Sequence, residues 1–159
     1  MNKNVDKILK AISSDIVMLA REIIDSDIGI NEKVGINTLS GSDLYKQISS
    51  SVDEEGDNIV MNTFFNFYLV YIEWDRPPKY GSPPPKDAII KWLKKKRIVS
   101  SNENIETVAN SFRWSIWYKG WKGRKILQEL DKMCGKQFDE KWSDMLFNAL
   151  IADIDDWFS

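Results

Sequence analysis

Apolar residues at positions 5, 8, 9, 12, 16, 19, 20 and 23 recur at spacings of three and four and draw one stripe along a helix. This pattern predicts a first helix from about Val5 to Ile24, with Asn2 or Asn4 placed to cap its start. The helix is expected to end between Asp25 and Gly29, and Asn31 to Ser42, rich in glycine, asparagine and serine, reads as an exposed loop. The periodicity then changes. Leu44 to Val52 alternates weakly and predicts an outer strand with one wet face. Asp53 to Asn58, reading DEEGDN, predicts the turn of a hairpin. Ile59–Phe65 and Phe67–Trp74 read as two further strands, with Asn66 as a bulge or turn. A straight run would put Val60, Phe64, Tyr68, Val70 and Ile72 on one face. Aromatics lie on both faces, so both need cover, from the chain's own helices or from a neighbouring subunit.

Helical periods return after the prolines. Pro85 suits the first turn of a helix reaching Arg97, with Ile89, Trp92 and Leu93 inward and Lys91, Lys94 and Lys95 outward. The cations Lys94 to Arg97 sit where a helix dipole favours positive charge. Asn102 or Asn104 is placed to cap a second helix with Ile105, Val108, Ala109, Phe112 and Ile116 inward. Gly120 and Gly123 interrupt the chain around Trp121. A third helix is predicted from Arg124 to Cys134, through Ile126, Leu127, Leu130 and Met133. A fourth starts near Phe138 and uses Trp142, Met145, Leu146 and Ala149. The acidic tail, Asp153, Asp155 and Asp156 followed by Trp157 and Phe158, docks or stays loose. The expected fold is therefore α+β: an N-terminal helix on a small antiparallel sheet of about three strands, then three or four helices. A single domain over 1–159 is expected, its core at about 5–130 and a C-terminal helix and tail at 138–159.

A chain of 159 residues with 43% apolar and 12% aromatic residues has material for a core, which argues against disorder. Net charge is -2, but its distribution is uneven: Lys86 to Lys125 holds 11 basic and 3 acidic residues, net +8, leaving about -10 elsewhere. Cys134 is the one cysteine, so no intrachain disulfide forms. Charges at Asp6, Lys7, Lys10 and Asp15 interrupt any secretory apolar region, and no window reaches the roughly 20 apolar residues of a spanning helix. The expectation is a protein made in a cytosol, without a membrane partner.

Histidine is absent. That removes histidine acid–base work, Ser-His-Asp and Cys-His nucleophiles, and histidine metal sites. Cys134, directly after Met133 and four residues past Leu130, reads as a small buried hydrophobe. No strand precedes Gly120 and Gly123, so they do not form a phosphate loop. Glu54, Glu55 and Asp57 either hold a divalent ion or are solvated acids of a hairpin turn. Glu73 and Asp75, with Lys79 nearby, faintly resemble the metal-binding edge of a nuclease, but Lys79 falls beyond two prolines. The two acids more readily satisfy loop backbone or pair with Arg76. No catalytic, metal or cofactor site is expected.

Two features remain. All five prolines lie between Pro77 and Pro85. With Tyr71, Glu73, Trp74, Asp75, Arg76, Pro77, Pro78, Tyr80, Pro83, Pro84 and Pro85 they form a candidate subunit or partner interface. A basic surface is built from Lys91, Lys94, Lys95, Lys96 and Arg97, continued by Arg113, Lys119, Lys122, Arg124 and Lys125, with Trp117, Tyr118 and Trp121 interleaved. It suits a phosphate backbone or an acidic protein neighbour.

The order of these pieces resembles the tail-completion or minor tail (head–tail joining) proteins of long-tailed bacteriophages. Leu39 to Leu44 with Ile48 match the segment leading into that family's first strand. Phe67, Tyr68, Tyr71 and Glu73 match its aromatic strand end. A proline-rich loop precedes Trp92, Lys95, Lys96, Arg97 and Ile98, and Gly120, Gly123 and Leu127 follow in a later helix motif. The resemblance covers roughly Val5 to Leu130. The chain departs from it at Trp74-Asp75, where a glycine is usual, at Arg97, which replaces another glycine, and in lacking a proline–phenylalanine pair after Gly123. The resemblance implies a structural virion protein at the neck or tail, assembled in the host cytoplasm. It implies a homo-oligomeric ring contacting portal, connector and tail proteins, and no enzyme activity. A nucleic-acid-binding protein is the second reading and a metal-dependent nuclease the third.

Overall fold

The computed structural model describes residues 3–32, 35–67 and 69–159. In chain order its elements are α1 (Lys3–Asp25), a 3-10 turn (Asp27–Gly29), β1 (Ile30–Asn31), β2 (Ile36–Asn37), α2 (Asp43–Lys46), β3 (Ser49–Glu55) and β4 (Asn58–Phe64). There follow α3 (Leu69–Glu73), α4 (Lys86–Lys96), α5 (Ile105–Lys119), α6 (Ile126–Gln137), a π-helical turn (Phe138–Trp142) and α7 (Ser143–Phe158). The α+β order is the expected one: an N-terminal helix, small antiparallel β elements, then helices. The chain divides into two compact units, Met1–Glu73 with Arg124–Ser159, and Trp74–Gly123.

The first unit is organised by α1. Its predicted stripe is buried at Leu9, Ile12, Ala20, Ile23 and Ile24, and the helix packs on β3, β4, α6 and α7. Leu39, Leu44, Ile48, Leu69, Ile126 and Leu130 complete the core. Each such side chain contributes about 1.5–3 kcal/mol by leaving water. The start of α1 is capped from the far end of the chain rather than by Asn4. The Asp153 carboxylate on α7 accepts the N–H groups of Asn4 (2.9 Å) and Val5 (2.9 Å), and the Asn4 amide donates to Asp156. Asn2 lies outside the described residues. The acidic tail therefore docks, as helix. At the other end of α1, the Asn37 amide donates to the Ile24 carbonyl (2.7 Å) while its oxygen accepts from Leu39 and Ser40. Gly29 lies so close to the Ile24 carbonyl and the Asn37 side chain that a Cβ there has no room.

Several strand assignments shift. The stretch read as an exposed loop contains the short β1–β2 pair and the buried Leu39. The strand expected at Leu44–Val52 splits: Ser42 caps the one-turn helix α2 through the Tyr45 N–H, which turns Leu44 inward, and pairing begins only at Ser49. The β3–β4 ladder runs to Glu55↔Asn58, so its turn is only Gly56-Asp57. Gly56 has φ 62°, the glycine-first geometry of a II′ hairpin.

The expected third strand, Phe67–Trp74, is the helix α3. Leu69 and Glu73, four residues apart, point inward, and Val70 and Tyr71 are exposed. Val60, Phe64, Val70 and Ile72 consequently do not line one sheet face; Tyr68 lies outside the described residues. Among the described residues the β structure is two separate two-stranded ladders, not one sheet of three. The helix expected from Phe138 is a continuation of α6 through the π turn into α7, without a break.

In the second unit α4 packs on α5 through the buried Leu93 and Ala109, with an edge-to-face contact between Trp92 and Phe112 (5.6 Å). Pro85 is the residue before α4 rather than its first helical residue. Arg97 ends α4 in the left-handed region at φ 53°, a position where glycine is usual. Asn104 caps α5 by accepting the Glu106 N–H (3.0 Å).

Candidate interaction surface

The proline-rich loop 74–85 is fastened along its length within the second unit. Its first fastening is a backbone bridge: Arg76 N–H donates to the Trp121 carbonyl (2.9 Å) and Trp121 N–H returns to the Arg76 carbonyl (3.0 Å). Gly120 permits this approach. Its φ is 63°, and a Cβ would collide with the Arg76 carbonyl and press on Pro77 and Pro78. The Lys79 N–H then donates to the Trp117 carbonyl (2.7 Å). Further along, the Trp117 indole N–H donates to Gly81 O (2.8 Å) and the Arg113 Nε–H to Pro84 O (2.7 Å).

Arg76 closes the loop from inside. Its guanidinium lies over the Trp121 ring at 5.1 Å and donates to the carbonyls of Tyr80 and Ser82. Asp75 accepts the Gly123 N–H (2.6 Å). With five prolines supplying no N–H and fixed φ, little of this backbone is free to rearrange.

On this frame Trp74 and Tyr80 stand 68% and 69% exposed. Large aromatics held in water by a fixed backbone lose apolar stabilisation unless something covers them. Lys79, at φ 60°, sets its ammonium over the Tyr118 ring at 4.4 Å. Arg113 lies over Trp114, which meets Trp117 edge-on at 5.5 Å. The outer side of this unit is thus aromatic and cationic.

The residues predicted for an interface divide into two groups. Trp74, Asp75, Arg76, Pro77, Pro78, Tyr80, Pro83, Pro84 and Pro85 come together in the fastened loop. Tyr71 and Glu73 belong to the first unit. Tyr71 is exposed, but Glu73 is 1% exposed, and its carboxylate accepts the N–H groups of Leu127 (2.9 Å) and Gln128 (3.2 Å). Glu73 therefore caps the start of α6 and offers no surface to a partner, which corrects its place in the predicted interface. With Glu73 on α6 and Asp75 on Gly123, both acids of the nuclease-like pattern satisfy backbone. Glu54, Glu55 and Asp57 lie at the tip of the β3–β4 hairpin. Among the described residues no group of three His, Cys, Asp or Glu side chains is arranged to hold a metal.

The predicted basic surface is also divided. Lys91, Lys94, Lys95, Lys96 and Arg97 are exposed on and after α4, and Lys119 and Lys122 are exposed at the end of α5 in the same unit. Arg124 and Lys125 belong to the first unit. Arg124 is half-buried and donates to the Gly29 carbonyl (2.7 Å), so it is a structural link rather than a surface cation. Lys125 is exposed, in the left-handed region at φ 54°.

Sequence reasoning overlooked Arg113 and Trp117 as fasteners of the loop, since their acceptors, Pro84 and Gly81, lie 29 and 36 residues away. The sequence signal was Gly120, a glycine directly before the aromatic Trp121. Among the described residues no helix is long and apolar enough to cross a membrane. Compared with protein-family models, curated proteins and solved structures, the chain matches none.

Proposed function

We propose that this chain is a structural assembly subunit, of the phage neck or tail-completion kind that its motifs resemble, and that the Trp74–Gly123 unit is a surface through which it binds other proteins. One observation carries the reading: the loop backbone is fixed by Trp117, Trp121, Arg113 and Gly123 while Trp74 and Tyr80 are held out in water. A surface ordered in advance loses little freedom on contact, so its aromatics contribute to affinity instead of offsetting disorder. Trp and Tyr are also the side chains that most often dominate protein contacts.

On this reading the partners are further copies in a ring, together with portal, connector and tail proteins. The site of action is the virion neck or tail, with assembly in the host cytoplasm. The role needs no catalytic residue and no cofactor. The test is binding of the purified chain to purified neck and tail components, with a Trp74→Ser/Tyr80→Ser variant beside it. Losing an anchor costs about 2 kcal/mol, so the double variant is expected to bind at least about 30-fold more weakly with an unchanged melting temperature. A wild-type chain that binds none of these components, or a variant that binds as well, sinks the reading.

A second reading rests on the exposed cations of α4 and Arg97, which suit a phosphate backbone. Fluorescence anisotropy with labelled duplex DNA decides it. An affinity left unchanged by Lys94→Glu/Lys95→Glu/Lys96→Glu removes it.

A further inference from the structure

The last helix has two faces, and among the described residues only one is buried. Trp142, in the π turn, and Ala149 and Asp153 on α7 are buried in the first unit. Phe147, Leu150, Ile151, Ile154, Trp157 and Phe158 recur at helical spacing on the opposite side and are 37% to 87% exposed. Together they expose on the order of 600–700 Å² of apolar surface, at or above the largest patch of a typical monomer. That area approaches the roughly 800 Å² that one partner contributes to a standard interface.

Charge selects what covers the stripe. From Ser143 to Phe158 there are four aspartates and no lysine or arginine. Asp153 is occupied with α1, which leaves Asp144, Asp155 and Asp156 around the stripe. Pairing this face with the same face of another copy sets aspartates against aspartates, and like-charge juxtaposition is penalised. A surface both aromatic and cationic suits it better. The Trp74–Gly123 unit carries 11 basic and 4 acidic residues and exposes Trp114 and Tyr118.

We propose that the outer face of α7 docks on the basic Trp74–Gly123 unit of a second copy of this chain. The inference rests on reading that unit as a contact surface and names what occupies it. Because donor and acceptor faces differ, a bound pair still has one of each to offer, the free α7 face on one copy and the free acceptor on the other. Association therefore runs head to tail, closing as a ring or growing as a filament.

The test uses the full chain and two variants at exposed positions, each checked for helix content by circular dichroism. Ile151→Lys/Ile154→Lys blocks the α7 face, and Lys91→Glu/Lys94→Glu reverses charge on the acceptor face. Sedimentation velocity at low salt is expected to show wild type as a species larger than a dimer, loosening as salt is raised. Each variant alone is expected to be monomeric. An equimolar mixture of the two should form a one-to-one dimer and stop, since it holds one good α7 face and one good acceptor. A monomeric wild type, a mixture that stays monomeric, or a variant that assembles alone overturns the proposal. If only the α7 variant still assembles, the docking idea fails and the Trp74–Gly123 contact surface survives. If both variants assemble like wild type, both readings fall.

Discussion

Replacing Glu73 by alanine removes the acceptor for two backbone N–H groups in the first turn of α6. The carboxylate is 1% exposed and receives Leu127 N–H at 2.9 Å and Gln128 N–H at 3.2 Å. Lys125, the residue before the helix, is in the left-handed region and its side chain makes no capping bond. Loss of a cap costs about 0.5–2 kcal/mol, and leaving partly buried donors unpaired adds about 1–3 kcal/mol, so the expected loss is about 1.5–5 kcal/mol. At about 2–4 °C per kcal/mol for a chain of this length, the melting temperature should fall by about 3–20 °C. Glu73→Gln keeps one acceptor oxygen and should lose about half as much. Urea unfolding followed by circular dichroism supplies the free energies. A Glu73→Ala chain as stable as wild type, or more stable, refutes the capping role. Added stability is what removing a carboxylate held for function would produce.

Other consequences concern separate parts of the chain. Burial pushes the Asp153 carboxyl up, but the hydrogen bonds from Asn4 and Val5 N–H outweigh it and hold it below the ordinary carboxylate value. A depressed folded value means that its stabilisation is complete above about pH 4 and lost as pH falls through the folded value. Melting temperatures of wild type and Asp153→Asn should therefore differ steadily from neutral pH down to about 5 and converge below about 4. Gly120→Ala places a Cβ against the Arg76 carbonyl at φ 63°. It should cost more than about 1 kcal/mol and speed hydrogen exchange at the Arg76 and Lys79 amides, which bond to Trp121 and Trp117. Burial, and then the nearby Asp131 charge, push the Cys134 thiol up. Iodoacetamide at pH 8 should accordingly alkylate it more slowly than free cysteine, and a faster reaction contradicts the burial.

The long periodic segments were legible. α1 and α5 follow from stripes of three or more turns, where a 3.6-residue period has no rival. Phe67–Trp74 was not, because a short run of aromatics fits a period of two as well as a helix. What decides it is Glu73, whose carboxylate reaches N–H groups 54 and 55 residues away. The same distance problem hid Asp153, which looks like part of a charged tail until its partners at Asn4 and Val5 are known. Arg124 shows the converse: it reads as one more cation of a basic run, yet a carbonyl 95 residues away claims it. The proline cluster marked a loop whose backbone is held in place. Its fasteners on α5 were out of sight because a carbonyl acceptor leaves no trace in a sequence.

The Trp74–Gly123 unit is proposed to bind protein. Native mass spectrometry of the full chain, beside the Trp74→Ser/Tyr80→Ser variant, tests it most directly. The prediction is multimers for wild type and a folded monomer for the variant. The same oligomeric state in wild type and variant, whether both monomers or both multimers, would contradict it.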